Sequence, residues 1–231
     1  MIKRDIIIAV DGHSSTGKST FAKAIAQKYG LIYVDTGALY RGVTLASVRG
    51  GITTFNDPSD IERLEILMSK TELTFKPTGE GGASELWLGD ENIEREIRSL
   101  EISGKVSIYA SLPSVRGYVD SILKGYGVRR GVVMDGRDIG TVVFPDADLK
   151  IFMTADARIR AQRRCNEMTL RGDEADFEEV LKNVNERDFM DENRESAPLR
   201  RADDALFLDN SYMTHEDQMV WIEKIISQKW G

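Results

Sequence analysis

Cysteine occurs once, at Cys165, so no internal disulfide can form and a reducing, cytoplasmic setting is expected. Histidine occurs twice, at His13 and His215, with no clustered Cys/His pattern, which argues against a zinc site built by the protein. No apolar run approaches the length of a membrane span. The run at residues 6–10 is too short for the core of a signal peptide, and Asp11 ends it. Positive charge is in deficit: 31 Lys and Arg stand against 38 Asp and Glu, a net charge of −7. That balance argues against general affinity for nucleic acid or an anionic membrane, and a monomer is expected. No internal repeat is visible. What remains is an ordinary globular composition, 41% hydrophobic and 30% charged, in 231 residues. This length suits one domain with insertions or two small ones.

The most informative stretch is residues 6–20, IIIAVDGHSSTGKST. Its apolar start reads as a strand buried on both faces. Gly12-His13-Ser14-Ser15-Thr16-Gly17-Lys18-Ser19 then fits G-x-x-x-x-G-K-[ST], and Thr20 follows. A helix comes next, with Phe21, Ile25 and Lys28 expected on one face and Gly30 as its stop. The glycines let backbone N–H groups curl around phosphate oxygens. Lys18 can reach the terminal phosphates, the Ser19 hydroxyl can ligate Mg²⁺, and the helix N-terminus favours an anion. The stretch therefore predicts binding of a nucleoside triphosphate.

Further strands are expected at 31–34, 132–135, 148–153 and 205–209, and helices at 156–168, 176–193 and 215–230. Asn56-Asp57-Pro58 reads as a helix start, and Thr214 as an N-cap with Asp217 three residues on. Helical sequence from 99 to 126 is interrupted by Pro113. Residues 72–97 differ, with two alternating segments flanking the turn-rich 77–84, and read as a small antiparallel hairpin. The Gly-Glu-Gly-Gly within that turn has no Lys and no buried strand before it, so it is read as a turn. Alternating strands and helices predict a parallel sheet covered on both faces. Right-handed crossovers would gather Lys18, Asp35 and Asp135 at its C-terminal edge. Asp135 is the type expected for a carboxylate that holds Mg²⁺ through water.

Phosphoryl transfer needs two anionic reactants brought in line and their charge balanced. Arginine suits this because its planar fork binds phosphate bidentately. Arg41 follows Asp35-Thr36-Gly37, and Arg137 sits just past the third core strand in Asp135-Gly-Arg-Asp138. Arg187 and Arg194 lie seven residues apart with Asp191 between them. Arg160, Arg163 and Arg164 have i, i+3, i+4 spacing, which also fits a solvated, ion-paired face. Cys165 beside them is expected to be a bystander thiol.

Four stretches resemble the cytidylate kinase family: DGHSSTGKST at 11–20, YVDTGALYR at 33–41, MDGRDIGTVVFPDADLKIF at 134–152, and ERDFMDENRESAPLRRADDALFLDN at 186–210. The resemblance implies an α/β P-loop kinase fold. A five-stranded parallel sheet flanked by helices would carry a small antiparallel insert and a helical lid. It implies core segments at 1–55, 111–154 and 176–231, a monophosphate-binding insert at 56–110 and a lid at 155–175. The implied activity is transfer of the γ-phosphoryl group of ATP to CMP or dCMP, with Mg²⁺. Gly12 to Thr20 would hold ATP, and Lys18, Arg137, Arg160 and Arg163 would be catalytic. Arg41, Arg137 and Arg194 would hold the acceptor phosphate with Ser14 nearby, and Thr36 would line that site. Arg187 and Asp191 would reach the ribose, while Ser107, Arg116 and Asp138 would read the cytosine edge. Ser19, and Asp135 through water, would hold the metal. Three rival readings stand beside this one: a kinase of another small acceptor, a GTP-dependent switch, and a nucleic-acid-dependent NTPase. The switch is disfavoured by the lack of any Asn-Lys pair, and the NTPase by the acidic balance.

Overall fold

The computed structural model describes residues 5–77 and 84–230. The chain divides into two compact units: one runs up to Val34 and resumes at Arg129, and the other is Asp35–Val128.

The first unit is built on strand β1 (Ile7–Gly12), whose six residues are all buried. That uninterrupted burial is why the sequence shows an apolar run and not alternation. Helix α1 (Lys18–Tyr29) follows and ends at Gly30, whose amide donates to Ala26 O in a left-handed cap. Its buried face is Phe21, Ala22, Ile25 and Ala26. Lys28, expected on that face, is exposed and pairs with Glu223, because the buried stripe is centred between Phe21/Ile25 and Ala22/Ala26, about a quarter turn away from Lys28. Strand β2 (Ile32–Asp35) comes next.

The second unit starts with helix α2 (Thr36–Arg49) and helix α3 (Pro58–Lys70). The Asp57 carboxylate accepts from the Ser59 amide at 2.8 Å, and Pro58 occupies the first helical position. Strands β3 (Leu73–Pro77) and β4 (Ser84–Leu88) pair antiparallel, as alternation predicts. A short third strand, β5 (Glu91–Asn92), extends them. The Gly79-Glu80-Gly81-Gly82 turn lies outside the described residues. Helix α4 (Leu100–Ser111) and helix α5 (Pro113–Arg129) follow, with the break at Pro113 and the Ser99 hydroxyl capping α4 through the Ile102 amide.

Asp35 holds this unit's first helix. Its Oδ1 accepts from the Ala38 amide at 2.9 Å and its Oδ2 from Arg98 at 2.7 Å, while Arg98 also pairs with Glu94. Burial alone would raise the Asp35 pKa, but the Arg98 guanidinium and the Ala38 amide outweigh it and hold the carboxyl below its ordinary value. Removing Arg98 would leave a buried carboxylate short of its main counter-charge. Arg98→Ala is therefore expected to cost roughly 3 kcal/mol in urea unfolding at neutral pH. The wild-type advantage belongs to the ionised carboxylate, so it is present above pH ~4 and fades as pH falls through the lowered folded value. An unchanged urea midpoint at pH 7 would show that the pair contributes nothing.

Back in the first unit, strand β6 (Val132–Gly136), strand β7 (Leu149–Thr154) and strand β8 (Leu206–Asp209) complete a five-stranded parallel sheet of order β2-β6-β1-β7-β8. The register sets Asp11 opposite Gly136 on one side and Phe152 on the other. Helices α6 (Ala157–Leu170), α7 (Phe177–Asn193) and α8 (His215–Trp230) fill the remainder. Helices α1 and α8 close one face of the sheet, where Phe21, Ile25, Ile222 and Ile226 meet Ile8, Val10 and Ile151. Thr214 and Asp217 exchange side-chain and backbone hydrogen bonds at the start of α8. Helices α6 and α7 share their own cluster, which includes Ala161, Cys165 and Val184.

Candidate active site

Strand β1 delivers the chain into the phosphate loop at Gly12, whose φ is 145° and where a Cβ would lie 1.8 Å from the Met153 carbonyl oxygen. Only glycine fits that contact. The loop then turns back so that Lys18 Nζ donates to His13 O at 2.5 Å, and Thr16 Oγ1 to the same carbonyl at 3.0 Å. Lys18 is 5% exposed. Its pKa is pushed down to about 7, first by burial and then by the Arg137 cation, with Asp135 and Asp11 opposing. Ser19 Oγ donates to Asp135 Oδ2 at 2.9 Å, and Tyr33 OH to Asp135 Oδ1 at 2.7 Å. A hydroxyl beside a buried carboxylate is the hard oxygen donor set that suits Mg²⁺.

Beyond β6, Arg137 Nε donates to Asp191 Oδ2 at 2.8 Å, and Arg194 reaches Asp138 Oδ1 at 3.2 Å. The strand exit and the end of α7 are thus cross-paired, with Asp138, Asp191 and the Arg194 side chain nearly fully buried. Arg187 is also buried. Burial and the Arg137 cation push its pKa down to about 10, against Asp191. Among the described residues, Arg187 Nε and Ser14 Oγ are buried without a hydrogen-bond partner. Such orphaned polar atoms are rare in finished interiors and common where a polar ligand binds.

Arg160 and Arg163, from α6, grip the outside of the phosphate loop. Arg160 donates to Ala155 O, to Ser14 O and, at 2.5 Å, to Asp188 Oδ2. Arg163 donates to Thr16 O and Asn210 O. Arg164 pairs with Glu167. The Cys165 thiol is buried, and that burial pushes its pKa up, which fits an inert packing residue.

The other sequence-derived candidates belong to the second unit. Thr36 opens α2 and is buried. Arg41 donates to Ser103 Oγ at 2.8 Å. Ser107 lies one turn further along α4 and is buried. Arg116 is buried, donates to Ala110 O, and has its guanidinium carbon 5.7 Å from the Tyr40 ring centre.

Several participants were not expected from the sequence. Tyr33 and Asp188 sit inside stretches already singled out, yet their partners lie far along the chain. Asn210 donates to Thr16 O at 2.7 Å and accepts from Gln218, bracing the loop from the end of β8. Ser103 has a legible signal: it is four residues before Ser107 on one helix face.

A phosphate loop at the head of a parallel sheet, with a buried lysine inside it and paired arginines and aspartates at the neighbouring strand end, defines a P-loop phosphotransferase. The cytidylate kinase family model matches residues 8–228, and the chain belongs to that family. It is 49% identical over 222 residues to the cytidylate kinase of Bacteroides thetaiotaomicron, covering 96% of each chain. It is 47% identical to that of Parabacteroides distasonis, covering 95% of each. It is 50% identical to that of Porphyromonas gingivalis, covering 94% of each. No helix among the described residues is long and apolar enough to cross a membrane.

Proposed function

We propose that this chain transfers the γ-phosphoryl group of ATP to CMP or dCMP, giving ADP and CDP or dCDP, and works as a cytoplasmic monomer. The observation that carries the reading is the cross-paired set Arg137–Asp191 and Arg194–Asp138 in a member of the cytidylate kinase family. Gly12 to Thr20 cradle the ATP phosphates through backbone N–H groups, and Lys18 Nζ turns from His13 O to the terminal phosphates. Ser19, and Asp135 through water, hold Mg²⁺, which neutralises charge on the transferring group when bound. Arg41, Arg137 and Arg194 bind the acceptor phosphate, with the unpartnered Ser14 hydroxyl near it and Thr36 lining its site. Asp191 and Arg187 bind the ribose. Residues 56–110 supply the acceptor-binding insert, and residues 155–175 act as a lid that brings Arg160 and Arg163 to the phosphates and excludes water.

Ser107, Arg116 and Asp138 read the base. Cytosine offers a 4-amino donor where uracil has a carbonyl acceptor, so a carboxylate accepts from the first and repels the second. The test is ADP release with CMP, dCMP, UMP, AMP, GMP and dTMP offered separately, in wild type and in Asp138→Ala. Wild type is expected to turn over CMP and dCMP fastest. Asp138→Ala should lower the CMP-to-UMP ratio of kcat/KM by about 10- to 100-fold, the worth of one buried charged hydrogen bond. An unaltered ratio removes Asp138 from base reading. Equal wild-type rates for all acceptors would refute the CMP assignment itself.

A further inference from the structure

Asp11 is the last residue before the phosphate loop's first glycine, and none of the roles above uses its side chain. It is 5% exposed. Its Oδ1 accepts from the Ile139 amide at 2.8 Å and its Oδ2 from the Gly140 amide at 2.7 Å. These two amides open a five-residue π-helical turn, Ile139–Val143, directly after Arg137 and Asp138. Turns of this kind are rare and gather at functional sites. Asp138 occupies the position where a side chain would cap the turn, yet it makes no capping bond and pairs with Arg194 instead. The capping work is done from another strand, by Asp11, which leaves the Asp138 carboxylate directed elsewhere.

The contact is fitted closely. A Cβ on Gly140 would stand 3.3 Å from Asp11 Oδ2 and 3.1 Å from Lys150 Cδ, so a side chain at Gly140 would require the carboxylate or the Lys150 chain to give way slightly. Ladder pairing holds Asp11 opposite Gly136, the residue before Arg137. The cost of the arrangement is visible in Asp11 itself. Burial, with Asp138 adding to it, pushes its pKa up to about 6 despite the two amides and Lys18. Two amides aimed at separate oxygens call for a carboxylate, because asparagine has one acceptor oxygen to offer them.

We propose that Asp11 is a positioning residue for the acceptor: its carboxylate clamps the turn after Asp138 to the strand that enters the phosphate loop. The clamp fixes how Arg137 and Asp138 meet the nucleoside monophosphate. The proposal rests on the acceptor roles given above to those two residues. The backbone of one residue thereby starts the ATP-binding loop while its side chain sets the CMP-binding turn.

The test compares Asp11→Asn, Asp138→Ala and the double variant in steady-state kinetics, with thermal unfolding alongside. Asparagine keeps the shape but turns one acceptor into a donor facing an N–H group. Asp11→Asn is expected to raise KM for CMP at least tenfold and to change KM for ATP less than threefold. Its CMP-to-UMP ratio should fall several-fold, with Tm close to wild type. In the Asp138→Ala background, Asp11→Asn should lower the ratio no further, because both act through one group. Wild-type KM for CMP and a wild-type ratio in Asp11→Asn, while Asp138→Ala lowers the ratio, would overturn the proposal and leave the base-reading assignment standing. Equal rises in both KM values with a large drop in Tm would also overturn it, as a plain structural role. If Asp138→Ala leaves the ratio unmoved, the base-reading assignment falls, and Asp11 is judged on the two KM values alone. A rise confined to CMP then supports it and its absence overturns it. Should Asp11→Asn fail to fold, Gly140→Ala disturbs the same clamp from the other side and should give the same CMP-confined effect.

Discussion

Lys18→Ala is expected to lower kcat about a thousandfold, with the substrate panel otherwise unchanged in order. Lys18 is the side-chain cation held within the loop, already pointed at the loop's own carbonyl at 2.5 Å. A preorganised donor in a water-poor site is worth about two to three orders of magnitude in rate, and a fixed cation on a transferring phosphoryl group lies at the upper end. Its pH behaviour separates this role from a merely structural one. Burial and Arg137 push the Lys18 pKa down to about 7, so near neutrality only part of the free enzyme carries the ammonium. The ammonium is the form that binds an anion, and ATP therefore draws a proton onto Lys18. The sign is fixed: KM for ATP is flat well below pH 7 and rises as pH climbs from about 7 toward 9. Calorimetry in buffers of differing ionisation enthalpy should show proton uptake on ATP binding, larger at pH 8 than at pH 6. A flat profile and no uptake would mean that Lys18 is fully charged before ATP arrives. In Lys18→Ala both signals should vanish.

Much of the donor half was legible because its chemistry is local. A phosphate loop needs its glycines, lysine and hydroxyl at fixed spacing within one turn of chain, so residues 12–19 declare themselves. The core strands were legible because burial on both faces erases alternation, as in β1 and β6. Pairings that cross the fold were not. Asp11 meets Ile139 and Gly140 across 128 and 129 positions, Asn210 meets Thr16 across 194, and Tyr33 meets Asp135 across 102. No periodicity carries such information; only the strand order β2-β6-β1-β7-β8 brings these residues together. Strand β5 was missed because two residues hold no alternation to detect. The π-helical turn was missed because a single turn leaves no repeat, and its cap comes from another strand. Arg160 and Arg163 show the opposite case. Their spacing alone left a solvated face open, and the structure instead sets their guanidinium groups on loop carbonyls.

Arg137→Ala should reduce kcat/KM for CMP by about a thousandfold while leaving ATP binding near pH 6 within about threefold. Arg137 is buried beside Asp191, and burial is outweighed by the carboxylates of Asp191, Asp188 and Asp135, which raise its pKa. Its charge is therefore permanent, and its planar fork can hold Asp191 through one edge while offering the other to an anion. Lysine cannot reproduce two such edges, so Arg137→Lys should recover less than a tenth of the lost rate. The residue also acts on the donor side, because its cation is the second cause, after burial, of the low Lys18 pKa. Removing it lets Lys18 keep its proton to higher pH. The ATP profile of Arg137→Ala should then shift toward alkaline pH even as CMP turnover collapses. Loss of CMP turnover with an unmoved ATP profile would leave Arg137 as an acceptor ligand alone. Unchanged kcat and KM for CMP would remove it from the acceptor site. A collapse with the alkaline shift would show that one arginine both receives CMP and keeps the phosphate-loop lysine partly uncharged until ATP arrives.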